Sequence, residues 1–196
     1  HSEGRHRGAA KLYASGVLGQ VSRIDAAAYF NQSRWTRNYS DCKESDVDWE
    51  AFLLDLPKRP FEPKLLRQWQ LYRETSNGLP GLWMTHYVDL VHLITGARFP
   101  TSAVAHGCVY VWKDGRDTSD TFQALVENPE GFLFSWGMGL GNSAGPRFGI
   151  YGTKGTMYPE KGTVSPEGGR DSTLAAGPIP AERSQSHMGN WLQCLR

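Results

Sequence analysis

Four β-rich stretches follow Pro100 with no helical segment between them: Ala103 to Trp112, Thr121 to Glu127, Phe132 to Met138 and Phe148 to Tyr151. Lys113-Asp-Gly115-Arg116, Asn128-Pro-Glu-Gly131 and Pro159-Glu-Lys-Gly162 supply the turns, through the Gly, Pro, Asn and Asp that tight reversals need. Thr156 to Tyr158 and Gly162 to Val164 read as a further small hairpin. Strands joined this closely pair antiparallel, since a parallel neighbour requires a long crossover. With helices concentrated upstream, the predicted class is α+β: an open, mostly antiparallel β-sheet with helices packed on one face.

The upstream half supplies one strand and the helices. Val21 to Asn31 alternates, with Ile24, Ala26, Ala28 and Phe30 on one face. Ala9 to Ser15 reads as the last turns of a helix closed by Gly16 and Gly19. Gln32 to Asp46 is polar and reads as loop, and Asp48 is placed to cap a short helix running to Leu54. Pro57, Pro60 and Pro63 predict an extended connection, followed by a brief aromatic-rich segment from Leu65 to Tyr72. Asn77-Gly78-Leu-Pro80-Gly81 is a turn signal before a helix from Leu82 to Thr95, stopped by Gly96, with Met84, Val88, Val91 and Ile94 as its buried stripe. No fixed-period repeat occurs, and Ser165 to Pro180 is rich in Gly, Ser and Pro. A length of 196 residues makes one domain over 1–196.

Composition excludes several roles. Twenty-one Lys+Arg against twenty Asp+Glu leave a net charge of +1, without the basic surplus of a nucleic-acid binder. No apolar run approaches the roughly 20 residues of a membrane span. Cys42, Cys108 and Cys194 are odd in number and far apart, giving neither a disulfide framework nor a zinc motif.

The residues with the most chemistry lie in Gly81-Leu-Trp83-Met-Thr-His86-Tyr-Val-Asp89-Leu-Val-His92. His86 and Asp89, three apart, share a helix face, and the positive end of a helix dipole favours a neutral imidazole. Such an imidazole suits proton transfer, with Asp89 to orient it; the blander reading is a helix histidine bonded locally. His92, six residues from His86, rotates off that face, so the trio makes a poor metal set. Gly152-Thr-Lys154-Gly-Thr156 lacks the spacing of a phosphate loop, and Gly137, Gly139, Gly141 and Gly145 lack the strand–turn–helix context of a dinucleotide fingerprint. Arg34-Trp35, Arg67, Trp69, Tyr72 and Arg73 combine planar faces with forked donors that suit a sugar-like ligand, or serve simply as packing and solvated charge.

In order and spacing, Ser15-Gly16-Val-Leu18-Gly19-Gln-Val21, Asp48-Trp49-Glu-Ala-Phe52-Leu, Arg59-Pro60-Phe61-Glu-Pro63 and Trp69-Gln-Leu-Tyr72 resemble the Gfo/Idh/MocA oxidoreductases. The Gly81–Asp89 segment, Tyr151-Gly-Thr-Lys-Gly-Thr156 and His187-x-x-Asn190-Trp191 continue the match. The resemblance implies the second, C-terminal domain of a two-domain protein whose N-terminal Rossmann domain binds NAD or NADP. Residues 1–19 would then be helix and turn from the domain junction, and 187–196 the start of a truncated C-terminal helix. The family's Glu-Lys-Pro motif has no counterpart in this chain.

At the site the carry-over is partial. Many members begin the helix with Asp-x-Gly-x-His; here His86 matches the histidine, while Leu82 and Met84 stand at the Asp and Gly positions. The resemblance implies His86 as the proton-transfer residue, with Trp69, Tyr72, Arg73, Asp89 and Lys154 against a sugar or polyol. Cofactor residues would lie in the other domain. A homo-oligomer through the sheet face is expected, and the alternative to the enzyme reading is a non-catalytic binding or oligomerisation module that has lost redox activity, its free sheet face presenting Tyr110, Trp112, Phe132, Phe134 and Trp136. No compartment is assigned.

Overall fold

A computed structural model describes residues 3–168, 174–183 and 186–195. Its centre is an eight-stranded sheet of β1 (Val21–Asn31), β2 (Ser102–Cys108), β3 (Thr121–Asn128), β4 (Phe132–Gly139), β5 (Gly141–Gly152), β6 (Gly155–Tyr158), β7 (Thr163–Pro166) and β8 (Gly177–Pro178). Their spatial order is β2-β3-β4-β1-β5-β6-β7-β8. Every pairing is antiparallel except β1 with β4, where Ile24 lies beside Phe134 and Ala26 beside Trp136. The class is α+β, as the strand run predicts.

The first strand in sequence is thus driven between β4 and β5, which only Leu140 separates. The chain crosses over the end of β1 at this residue. Leu140 is fully buried, its N–H donates to the Asp120 carbonyl (2.8 Å), and its carbonyl accepts from Gln32 N–H and Trp112 Nε1.

Alternation decides which face is covered. Ile24, Ala26 and Ala28 of β1, Phe132, Phe134, Trp136 and Met138 of β4, and Phe148 and Ile150 of β5 form the main core. Helices α1 (Gly4–Ala14) and α4 (Thr85–Thr95) pack on it through Ala9, Tyr87, Val91 and Ile94. This corrects the expected free face: Phe132, Phe134 and Trp136 point into the helix-covered core at 1–3% exposure, and Trp112 packs at its edge. Of the five aromatics, Tyr110 alone is largely exposed, at 58%, and it lies beyond the end of β2. The open face carries Arg23, Asp25, Tyr29, Gln123, Arg147 and Tyr151 over a floor of Ala27, Ser135, Gly137 and Gly149. All of these except Arg23, which lies over the Tyr151 ring, bound a cavity of about 730 Å³.

A second, smaller core lies under α2 (Trp49–Leu53) and α3 (Pro63–Arg67), built from Trp49, Leu53 and Leu65. Asp48 Oδ1 accepts from Ala51 N–H at 2.9 Å, the expected cap. The segment expected to be extended winds instead at Pro63, because proline loses nothing in a helix's first turn, where its N–H would be unpaired. Strand β2 ends at Cys108, four residues short of the expectation. Helix α5 (His187–Cys194) is capped by Ser186 and exposes Met188, Trp191 and Leu192. Residues 169–173 of the Gly/Ser/Pro-rich stretch lie outside the described residues.

Candidate functional site

The site gathers where β1 ends. Phe30 is its last core-facing residue, and the chain then turns sharply, with Arg34 at φ +23° and Trp35 at φ +67°. Left-handed backbone costs about 1–3 kcal/mol at each residue that carries a side chain, and persists where the surroundings enforce it. Here they do so through Arg116. Its buried guanidinium is gripped by Asp114 (Nε to Oδ1 2.9 Å, Nη2 to Oδ2 2.7 Å) and donates from Nη2 to the carbonyls of Ser33 and Arg34. Thr36 closes the set with a hydroxyl bond to Asp114 at 3.1 Å. Burial pushes the Asp114 carboxyl up, but the bonds and charge of Arg116 outweigh it and hold it below the ordinary value.

The loop bearing Asp114 and Arg116 is itself fixed by Asp120. This fully buried carboxylate accepts the backbone N–H groups of Tyr110, Val111 and Trp112 at 3.0, 2.7 and 2.8 Å.

From the other side comes the start of the long helix. It is wound from Leu79 (φ −53°, ψ −43°), before the Leu82 of the sequence expectation, because the Pro80 and Gly81 read as a turn form its first turn. Pro80–Met84 is a wide π-type turn, a form often found at functional sites. His86 therefore stands beyond the first turn, where the dipole acts most, and it is exposed.

The wide turn carries Trp83 onto Phe30 (ring centroids 5.4 Å apart). Arg34 covers both rings, with Cζ 4.2 Å from the Phe30 centroid and 4.7 Å from that of Trp83. His86 meets Trp83 edge-on at 6.3 Å and 77°. The result is an exposed imidazole and a half-buried guanidinium on one indole. Such a group can exchange a proton while offering an apolar face and a cation to a polar ligand.

The other expected residues fall in different places. Trp69 and Arg73 line one hollow of about 380 Å³ with Gly81 and Leu82, just before Trp83. Arg73 is fixed there by Asp117, which takes its backbone N–H (2.7 Å) and its Nε (2.9 Å, at the carbonyl). Tyr72 packs instead against the second core, beneath Lys64. Asp89 and His92 line a separate hollow with Pro80 and Met84, which His86 does not border. Lys154 lies at the far end of the sheet: its N–H reaches the Leu18 carbonyl, near the start of β1, whereas Trp83 sits at its end. Nine residues of strand separate them, roughly 30 Å.

Among the described residues, no three His, Cys, Asp or Glu side chains form a metal-binding group. Gly137 and Gly139 lie in β4 and Gly141 and Gly145 in β5, where no helix follows, so these glycines do not fit a dinucleotide. Trp83, Phe30, Asp114 and Arg116 were not singled out by sequence. The only signal for Trp83 was its place three residues before His86.

A single open sheet with helices on one face, and a histidine–tryptophan–arginine group at the end of its central strand, defines an α+β domain with a polar-aromatic site. Residues 58–158, just over half of the chain, match the model of the GFO/IDH/MocA C-terminal domain. The chain belongs to the Gfo/Idh/MocA family. No curated protein matches it by sequence.

Among solved structures, a putative oxidoreductase from Thermotoga maritima is similar over 98% of this chain and 50% of its own, at 16% identity and TM-score 0.65. Levoglucosan dehydrogenase in complex with NADH is similar over 89% and 44%, at 14% identity and 0.58. The WlbA dehydrogenase from Bordetella pertussis, in complex with NADH and UDP-GlcNAcA, is similar over 96% and 49%, at 17% and 0.55. At these identities the likeness is one of fold. The chain spans about half the length of these structures.

Proposed function

We propose that this chain is the substrate-binding part of an NAD(P)-dependent oxidoreductase acting on a sugar or sugar-like polyol, with His86 as its proton-transfer residue. The observation that carries the reading is the exposed His86 imidazole set edge-on against Trp83, within the segment that matches the family. An imidazole so placed can take the proton of a substrate hydroxyl during oxidation and return it during reduction. Its ring is oriented by the indole, and the indole by Phe30 and Arg34. Trp69 and Arg73, in the hollow just before Trp83, form the adjoining wall for the ligand.

NAD or NADP supplies the hydride chemistry when bound; no residue described here is assigned to it. Support comes from family membership and from complexes with NADH among the similar structures. Leu82, in place of a carboxylate, makes His86 the sole proton carrier offered at the start of this helix.

The test is the initial rate of NAD(P)H formation by the full-length protein with a panel of polyols and sugars. His86→Asn is expected to lower kcat by 10²-fold or more, about the contribution of general base catalysis, with the fold intact by circular dichroism. An unchanged kcat removes His86 from the mechanism.

A second reading is assembly through the open sheet face, where Arg23, Gln123 and Arg147 are exposed, and not through the buried aromatics. Sedimentation of Arg147→Glu against the native protein tests it: an unchanged oligomeric state rejects the face.

A further inference from the structure

We propose that Arg34 is a recognition residue for an anionic group, a carboxylate or phosphate, on the ligand that meets His86; this rests on the reading of the site given above. A half-buried guanidinium gives up hydration and is ordinarily compensated by a carboxylate. Arg59 and Arg116, the one partly and the other fully buried, each have one, at 2.6 and 2.7 Å. Arg34 makes no ion pair among the described residues.

The contacts of its guanidinium with protein are of a different kind. The rings of Phe30 and Trp83 lie against the guanidinium, and the Gln32 amide oxygen, turned toward it, accepts from Nε at 3.0 Å and Nη2 at 3.1 Å. The cation is therefore held in orientation but not neutralised, and its Nη1 donors are left for a ligand. A planar fork of this kind matches carboxylate and phosphate oxygens.

The local sequence agrees. Leu82, Trp83, Met84 and Thr85 bring no carboxylate to oppose an anion before His86. The backbone at Arg34 and Trp35 is held in an unfavourable conformation by the buried guanidinium of Arg116, itself fixed by the partly buried Asp114. A side chain with no role beyond covering Trp83 would not require that support, since a lysine or leucine on an ordinary turn covers an indole as well.

The experiment titrates glucuronate, glucose 6-phosphate and glucose into the full-length protein by calorimetry, at low and high salt. At least one charged sugar is expected to bind about tenfold or more tightly than glucose, the size of one charge-assisted bond, with an advantage that shrinks in salt. Which of the two wins separates carboxylate from phosphate recognition. Arg34→Gln should abolish the advantage of the charged sugar over glucose measured in the same variant, whereas Arg34→Lys should keep part of it.

Equal binding of charged and neutral sugars, no binding of any of the three, or a preference that survives in Arg34→Gln overturns the proposal. If Arg34→Gln fails to fold, the native protein's salt dependence and Arg34→Lys decide it. Turnover of neutral sugars without anion preference would sink this inference and leave the oxidoreductase reading. Anion preference without NAD(P)-linked turnover of any sugar would do the reverse.

Discussion

Asp120 offers the sharpest test of the physical account, because one side chain holds three backbone amides. Its Oδ1 accepts from Tyr110 N–H and from the Thr121 hydroxyl, and its Oδ2 from Val111 and Trp112 N–H. In Asp120→Ala all three amides lose their partner. Each costs about 1–3 kcal/mol if it stays dry. Tyr110 and Val111 are half exposed, so water recovers part of the loss, and the expected total is about 3 kcal/mol. Asp120→Asn keeps one oxygen, which can face Val111 and Trp112, but turns its NH₂ toward the Tyr110 donor. About half the loss, near 1.5 kcal/mol, is expected.

The charge adds a pH signature. Burial pushes the Asp120 carboxyl up, but the three backbone bonds and Thr121 outweigh burial and hold it below the ordinary range. A folded value below the unfolded one gives stability that is present above about pH 3.9 and is lost as pH falls through the folded value. The gap between native protein and Asp120→Asn should therefore narrow below about pH 4. Urea unfolding followed by tryptophan fluorescence measures both. An alanine variant within about 0.5 kcal/mol of native, or an asparagine variant less stable than alanine, would refute the reasoning.

Two further outcomes follow from α1. His6 is buried, and burial lowers its pKa against the raising influence of Glu3 and Glu160. The unfolded chain then takes the proton first, so stability should decline as pH falls from about 6.5 through the folded value, and thermal melts of His6→Gln should show a flatter profile across that window. A Cβ at Gly8 would stand 1.9 Å from the Pro180 carbonyl oxygen, a backbone atom. Gly8→Ala should therefore destabilise by about 1–3 kcal/mol despite alanine's higher helix propensity; a raised Tm would show that residues 177–183 do not lie on this helix.

Strand β1 was legible to its end residues, because Ile24, Ala26, Ala28 and Phe30 alternate without interruption. Strand β5 was legible only from Phe148, since Gly141 to Arg147 has a turn-like composition. Pairing with β1 across Ala27–Arg147 and Tyr29–Gly145 makes it a strand nonetheless. The parallel β1–β4 pair had no local signal, because a hairpin of β4 and β5 satisfies the same sequence pattern. The buried face of β4 was assigned to the wrong side for a related reason: alternation fixes two faces and does not say which one a helix covers. At α4, Pro80 and Gly81 serve as well in a helix's first turn as in a reverse turn, and the packing of Trp83 on Phe30 selects the former.

The site was harder to read than the fold because its members are distant in sequence and are joined by topology. Arg34 and His86 each stood out, but as unrelated features. They share Trp83 because β1 is inserted between β4 and β5, which brings the loop after β1 against the start of the long helix. The insertion requires the crossover at Leu140, and Leu140 is bonded to Gln32, Trp112 and the Asp120 carbonyl. Asp120 in turn fixes residues 110–112, and the same loop continues into the Asp114–Arg116 pair that holds Arg34. The crossover, the loop and the strained turn are thus one connected structure, and the orientation of Arg34 depends on a carboxylate it never touches. Loosening Asp120 should accordingly disturb the Arg34–Trp83 stack before it disturbs the Ile24–Phe134–Ile150 core, whose burial does not pass through that loop.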